Sequence, residues 1–181
     1  MNRGPIMVFV LSSALLGAVA HAALSVGAEA PGFKAQAALG GDQFTFTLAD
    51  ALKKGPVVLY FYPKAFTKGC TIEAHNFSEA TERFKELGAT VIGMSADDID
   101  TLKKFSVLEC RNKFAVASDE GGHIMKQYDA VMPNRMDVAD RISYVIAPDG
   151  KVIYAYASMS PDLHVQNTLD AVQQWKDHAQ H

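Results

Sequence analysis

Cysteine is scarce: Cys70 and Cys110 are the only two in 181 residues. That count excludes the dense disulfide framework of a small secreted scaffold. Neither cysteine belongs to a C-x-x-C pair, which argues against a dithiol exchange centre, where a close second sulfur resolves the mixed disulfide. Charge of one sign is also lacking. With a net charge of -3 and no basic run interleaved with aromatics, nucleic-acid binding has no footing. There is no Walker phosphate loop or dinucleotide fingerprint, and Asp119 to Gly122 falls short of a calcium loop. The six histidines, at 21, 75, 123, 164, 178 and 181, show no close metal-ligand constellation, so neither a metal nor a cofactor is implied. His75 reads as a solvated helix residue.

Long apolar runs are confined to the start. Arg3 precedes the nearly uncharged stretch Ile6 to Ala20, and Ala20-His21-Ala22 has the small-x-small form of a secretory cleavage site. The stretch is shorter than the roughly 20 residues that span a bilayer. Residues 1–22 are therefore expected to be a signal peptide cleaved after Ala22. Residues 23–181 would follow as one domain in the periplasm or another extracytoplasmic space, with no stable membrane association. A hydrophobic content of 49% supports a proper core for that domain and argues against disorder. No internal repeat divides it.

The chain is organised around residues 56 to 88. Val57, Val58, Leu59, Tyr60, Phe61 and Tyr62 are apolar or aromatic without alternation, the pattern of a strand buried on both faces. After Pro63 the period becomes helical: Cys70, Ala74, Phe77, Ala80, Phe84 and Leu87 share one face, Glu73 and Glu79 fall elsewhere on the wheel, and Gly88 closes the helix. A thiol thus stands in the first turn of a helix leaving a central strand. There the free N–H groups and the dipole favour the thiolate, the form that acts as nucleophile. A packed, inert core cysteine is the plainer alternative.

The remaining chain gives a coarser reading. Ala23 to Gly41 is an irregular lead-in, and Phe44 to Leu48 a short strand. Ala89 to Met94 is a strand, followed by a helical stripe from Ile99 to Cys110, with Cys110 late in that helix. Ala115 to Ala117 precede a turn and a short helix with Met125 and Tyr128, and the segment to Asp140 is a loop or distorted stretch. Arg141 then precedes a hairpin of Ile142 to Ala147 and Val152 to Tyr156. A final helix follows Ser160-Pro161, with Val165, Leu169, Val172 and Trp175 on its apolar face. Alternating strands and helices, then a hairpin and a helix, give an α/β fold with a mixed central sheet flanked by helices.

The segment Pro63-Lys64-Ala65-Phe66-Thr67-Lys68-Gly69-Cys70-Thr71 resembles the P-x-x-x-T-x-x-C signature of peroxiredoxins. Ile72-Glu73-Ala74 extends it toward the Q-type, or bacterioferritin-comigratory, subfamily. The similarity runs over nearly all of residues 23–181, from Val26-Gly27 and Ala30-Pro31 to the Arg141 strand and the final helix. It implies a thioredoxin-like fold and a thiol-dependent peroxidase that reduces hydrogen peroxide or organic hydroperoxides through a sulfenic acid.

By this resemblance Cys70 is the peroxidatic cysteine. Thr67 and Arg141 orient and polarise peroxide, Pro63 shapes the pocket, and Glu73 and Gly69 support it, Glu73 by orienting Arg141. Taken alone, Thr67 reads as a helix cap, Pro63 as a strand terminator, Arg141 as a strand-end residue and Glu73 as an exposed helix acid. Many Q-type relatives carry a resolving cysteine five positions after the peroxidatic one; this chain has His75 there. Cys110 is then either the resolving cysteine, reached by local unfolding, or a packed hydrophobe while an external thiol closes a one-cysteine cycle. The implied partners are a hydroperoxide and a thioredoxin-like protein or small-molecule thiol reductant, acting on a monomer or weak dimer. A thiol–disulfide oxidoreductase and a non-catalytic thioredoxin-like holdase are the alternative readings.

Overall fold

The computed structural model describes residues 23–179. The expected leader, residues 1–22, lies outside the described residues. In chain order the elements are β1 (Lys34–Leu39), β2 (Asp42–Thr47), α1 (Leu48–Leu52), β3 (Val57–Phe61), α2 (Lys68–Glu86), β4 (Thr90–Ser95), α3 (Ile99–Leu108) and β5 (Ala115–Ser118). Then come α4 (His123–Gln127), β6 (Val131–Met132), β7 (Arg135–Ala139), β8 (Ile142–Ile146), β9 (Val152–Ala157) and α5 (His164–Ala179). Seven strands form one mixed sheet in the order β2-β1-β5-β4-β3-β8-β9, while β6 and β7 make a separate ribbon.

The unbroken apolar run of β3 has a direct structural cause. β3 pairs in parallel with β4 and antiparallel with β8, which places it inside the sheet with both faces covered. Val57, Leu59 and Phe61 enter one core with α1 and α4, and Val58, Tyr60 and Tyr62 enter the other with α2, α3 and α5. The second core is strongly aromatic. Phe77 stacks on Tyr60 with ring centroids 4.4 Å apart, and Gly93 on the neighbouring strand leaves room for the Tyr60 ring: a Cβ there would lie 2.7 Å from it. The end of β3 therefore leaves a rigid platform, and the loop that opens α2 starts from it.

Four expectations change. The supposed lead-in contains β1, held antiparallel between β2 and β5. Its alanines are poor strand formers by propensity, but Ala35, Ala37 and Ala38 are buried where the strands pack closely, and pairing overrides propensity. The segment before Asp140, expected as a loop or distorted stretch, forms the β6–β7 ribbon, with a register shift between Val131 and Met132. Cys110 is not within α3: the helix stops at Leu108, and the Cys110 N–H bonds to the Phe105 carbonyl at 3.0 Å just past the C-cap. His75 is not simply solvated; its Nε2 lies 2.7 Å from Glu109 Oε2, tying α2 to the end of α3.

Candidate active site around Cys70

The loop between β3 and α2 is pinned before it reaches the sulfur. Asp97, beyond the end of β4, accepts hydrogen bonds from the Ala65 N–H at 2.7 Å and from Ser95 Oγ at 2.8 Å. Phe66 adopts a left-handed backbone at φ 63 and sets its exposed ring edge-on to Phe105. Thr67 is the N-cap by backbone position, but its hydroxyl donates to the Lys64 carbonyl at 2.9 Å rather than capping the helix. With its proton so directed, the oxygen keeps lone pairs for an incoming donor. The first helical bond runs from the Thr71 N–H to the Thr67 carbonyl, so the N–H groups of Lys68, Gly69 and Cys70 precede the helical ladder.

Cys70 is only 1% exposed, in the first turn of α2. Arg141, at the mouth of β8 and 3% exposed, reaches it from the other side of the chain. Its Nη2 donates to Cys70 Sγ at 3.4 Å, its Nη1 to Glu73 Oε2, and its Nε to the Met159 carbonyl at 3.1 Å. Gly69 explains the close approach, because a Cβ at that position would sit 3.0 Å from Arg141 Nη2. Pro63 is half-buried at the exit of β3. The structure thus gathers Cys70, Arg141, Glu73 and Gly69 into one contact cluster, with Thr67 and Pro63 on the loop that enters it. Cys110 is fully buried and unbonded to Cys70. Burial, and then the charge of Glu109, push its thiol well up.

Glu73 overturns its exposed-acid reading. It is completely buried one turn after Cys70, because α5 and the Arg141 loop cover that side of α2. Burial pushes its carboxyl up to about 8, against the opposing pull of Arg141. Burial lowers the basicity of Arg141, but the Glu73 and Cys70 charges outweigh it and the guanidinium holds its proton more firmly.

His164, the first residue of α5, completes the cluster and was not singled out in the sequence. It is fully buried; Ser143 Oγ lies 2.8 Å from Nδ1, the Ser158 carbonyl 2.9 Å from Nε2, and Glu73 Oε1 3.7 Å from Nδ1. Its only sequence signal is position, immediately ahead of an apolar helical stripe. Among the described residues no group of three or more acids, histidines and cysteines is arranged to hold a metal. A cavity of about 430 Å³ bounded by Phe44, Phe46, Phe84 and Phe114 opens at the opposite end of the sheet and shares no residue with the Cys70 cluster.

A thiol at a helix N-terminus with a guanidinium on its sulfur, carried at the end of a central strand, defines a thiol-chemistry site on a thioredoxin-like α/β fold. The chain belongs to the AhpC/TSA family, whose model matches residues 26–155. It is 37% identical over 134 residues to a chloroplastic peroxiredoxin Q of Triticum aestivum, covering 73% of this chain and 61% of that protein. It is 34% identical over 129 residues to peroxiredoxin Bcp of Escherichia coli K12, covering 68% of this chain and 80% of that protein. Among solved structures it superposes on peroxidoxin BcpB of Mycobacterium tuberculosis with a TM-score of 0.75 at 29% identity, covering 82% and 96% of the two chains. The chain spans about three-fifths of the length of the plant relatives it matches.

Proposed function

We propose that this protein is a thiol-dependent peroxidase that reduces hydrogen peroxide or organic hydroperoxides at Cys70. The observation that carries this reading is the Arg141 Nη2 contact to Cys70 Sγ at the head of α2. The Cys70 thiolate attacks one oxygen of the peroxide; an S–O bond forms as the O–O bond breaks, and the second oxygen leaves with the electron pair and takes up a proton. Sulfur is oxidised to sulfenic acid and the peroxide is reduced to water or alcohol. Arg141 stabilises the anionic sulfur and the departing oxygen while remaining charged. Thr67 receives the peroxide hydroxyl on its free lone pairs, the N–H groups near Gly69 and Cys70 face the developing charge, and Pro63 fixes the wall of the pocket.

A thioredoxin-like protein or small thiol restores Cys70. The Q-type likeness, the leader over residues 1–22 and an extracytoplasmic location belong to the same proposal, supported by the relatives' names and by the arrangement of Arg3 and the apolar stretch after it. Among the described residues no helix is long and apolar enough to cross a membrane.

Stopped-flow oxidation of reduced protein by hydrogen peroxide tests the reading. Cys70→Ser is expected to abolish the fast phase, and Arg141→Leu to slow it about 100-fold or more, the usual scale for losing a transition-state donor. Undiminished oxidation in Cys70→Ser would defeat the proposal.

A further inference from the structure

Among the described residues, one buried carboxylate oxygen of the cluster lacks a hydrogen-bond partner. Glu73 Oε2 receives Arg141 Nη1, but Glu73 Oε1 has no bond and faces His164 Nδ1 at 3.7 Å. The other contacts of the imidazole fix what it can offer. A carbonyl only accepts, so Nε2, 2.9 Å from the Ser158 oxygen, carries a proton and donates it. In the neutral ring Nδ1 is then a lone pair, which Ser143 Oγ fills as donor at 2.8 Å. An ionised Glu73 would set Oε1 against that lone pair with no hydrogen between them, both side chains being fully buried.

A single proton removes the conflict. Placed on Oε1 it neutralises the carboxyl and makes that oxygen a donor, which Nδ1 can accept once Ser143 Oγ turns its own proton away; placed on Nδ1 it makes an imidazolium facing a carboxylate, with Ser143 Oγ accepting. Burial raises the Glu73 carboxyl to about 8 and lowers the basicity of His164, so the proton belongs on the carboxyl. Other ionisable groups lie close to the pair. Burial keeps the Tyr60 phenol of β3 protonated, Arg141 is permanently charged, and Tyr156 of β9 meets His164 only by the edge-to-face contact of their rings. Asp140 is occupied by the Arg141 backbone N–H at 2.8 Å.

We propose that Glu73 and His164 hold one shared proton while Cys70 is a thiolate, and that they release it when the sulfur is oxidised. The charge count leads to this. With the proton in place, a thiolate, a guanidinium and a neutral pair sum to zero; without it, the buried cluster carries an extra negative charge. Attack on peroxide converts the anionic sulfur to neutral sulfenic acid and sends off an oxygen that needs one proton. The balanced step is Cys70 thiolate, protonated Glu73 and hydroperoxide giving Cys70 sulfenic acid, Glu73 carboxylate and alcohol or water. Negative charge passes from sulfur to carboxylate, and Arg141, bonded to both, serves each in turn. Glu73 and His164 are positioning residues in this scheme, acting through Arg141 and through the proton balance.

The inference rests on the peroxidase reading, and the test separates the two. Reduced protein is mixed with one equivalent of hydrogen peroxide in weakly buffered solution at about pH 7, and an indicator dye is read during the phase in which Cys70 oxidises. Wild type is expected to take up no net proton in that phase, and Glu73→Gln about one per Cys70 oxidised. Equal proton counts in the two proteins overturn the inference, whereas a Cys70 that peroxide does not oxidise overturns the peroxidase reading instead. A readout without a variant is the infrared difference spectrum of protein labelled with ¹³C-glutamate. A label-sensitive protonated-carboxyl band should vanish on oxidation; its absence from the reduced protein also overturns the inference.

Discussion

At the scale of single residues, the site depends on how closely Arg141 approaches sulfur, and Gly69 sets that approach. A methyl group at position 69 would stand 3.0 Å from Arg141 Nη2, so the guanidinium must retreat by a few tenths of an ångström or swing away. Gly69→Ala should therefore slow peroxide oxidation of Cys70 by about 10-fold, the cost of weakening one charge-assisted bond by about 1.4 kcal/mol. Circular dichroism should show the fold unchanged, since Gly69 is helical and alanine favours a helix. Glu73 makes a second prediction, with a definite sign. Its folded-state carboxyl is raised from 4.5 to about 8, so between those values the folded protein keeps a proton that the unfolded chain has lost. Stability should then fall as pH rises through that window, and the fall should be shallower in Glu73→Gln, as measured by urea unfolding at several pH values.

At the scale of elements, the sequence declared what depends on local pattern and concealed what depends on partners. The β3 run, the helical stripe from Cys70 to Leu87 and the β8–β9 hairpin were legible, because burial on two faces, a 3.6-residue period and a Pro-Asp-Gly turn each leave a local mark. β1 was hidden because its alanines signal a strand only once β2 and β5 flank them. The burial of Glu73 and the place of His164 were hidden for a related reason: a polar residue on the wheel is read as exposed until another polar residue closes over it. The end of α3 was misplaced by two residues, and this bears on turnover. Cys110 lies beyond the C-cap, fully buried in the aromatic core, with its thiol held protonated by burial. Attack on oxidised Cys70 would require the α3 terminus and the first turn of α2 to open together, breaking the His75–Glu109 contact on the way. An external thiol needs only the first turn of α2 and the exposed loop before it. Peptide mapping after one equivalent of peroxide is therefore expected to find Cys70 sulfenic acid and little Cys70–Cys110 disulfide; a dominant internal disulfide would make Cys110 the resolving residue.

At the scale of the whole molecule, the start of the described chain is fastened to the sheet, and this decides what removal of a leader would do. The Leu24 N–H donates to Tyr144 Oη at 3.1 Å. The N–H groups of Gly27 and Ala30 bond to the Val152 and Gly150 carbonyls at 2.8 Å, and the Val152 N–H bonds to the Ala28 carbonyl at 2.9 Å. Leu24 and Ala30 also pack against the core that includes Phe61 and Tyr144. A cut after Ala22 would leave one residue ahead of this anchorage, so the fold would keep all of these bonds. Protein beginning at Ala23 is therefore expected to match the full chain in urea midpoint and in the rate of peroxide oxidation, whereas removal through Ala30 should lower the midpoint clearly. In cells that export the chain, N-terminal sequencing of the extracytoplasmic fraction should give Ala23 first. An exported chain that still begins at Met1 would disprove the cleavage, and chain found only in the cytoplasm would disprove the location. The location matters chemically, because an oxidising compartment must then supply the thiol that returns Cys70 to its reduced form.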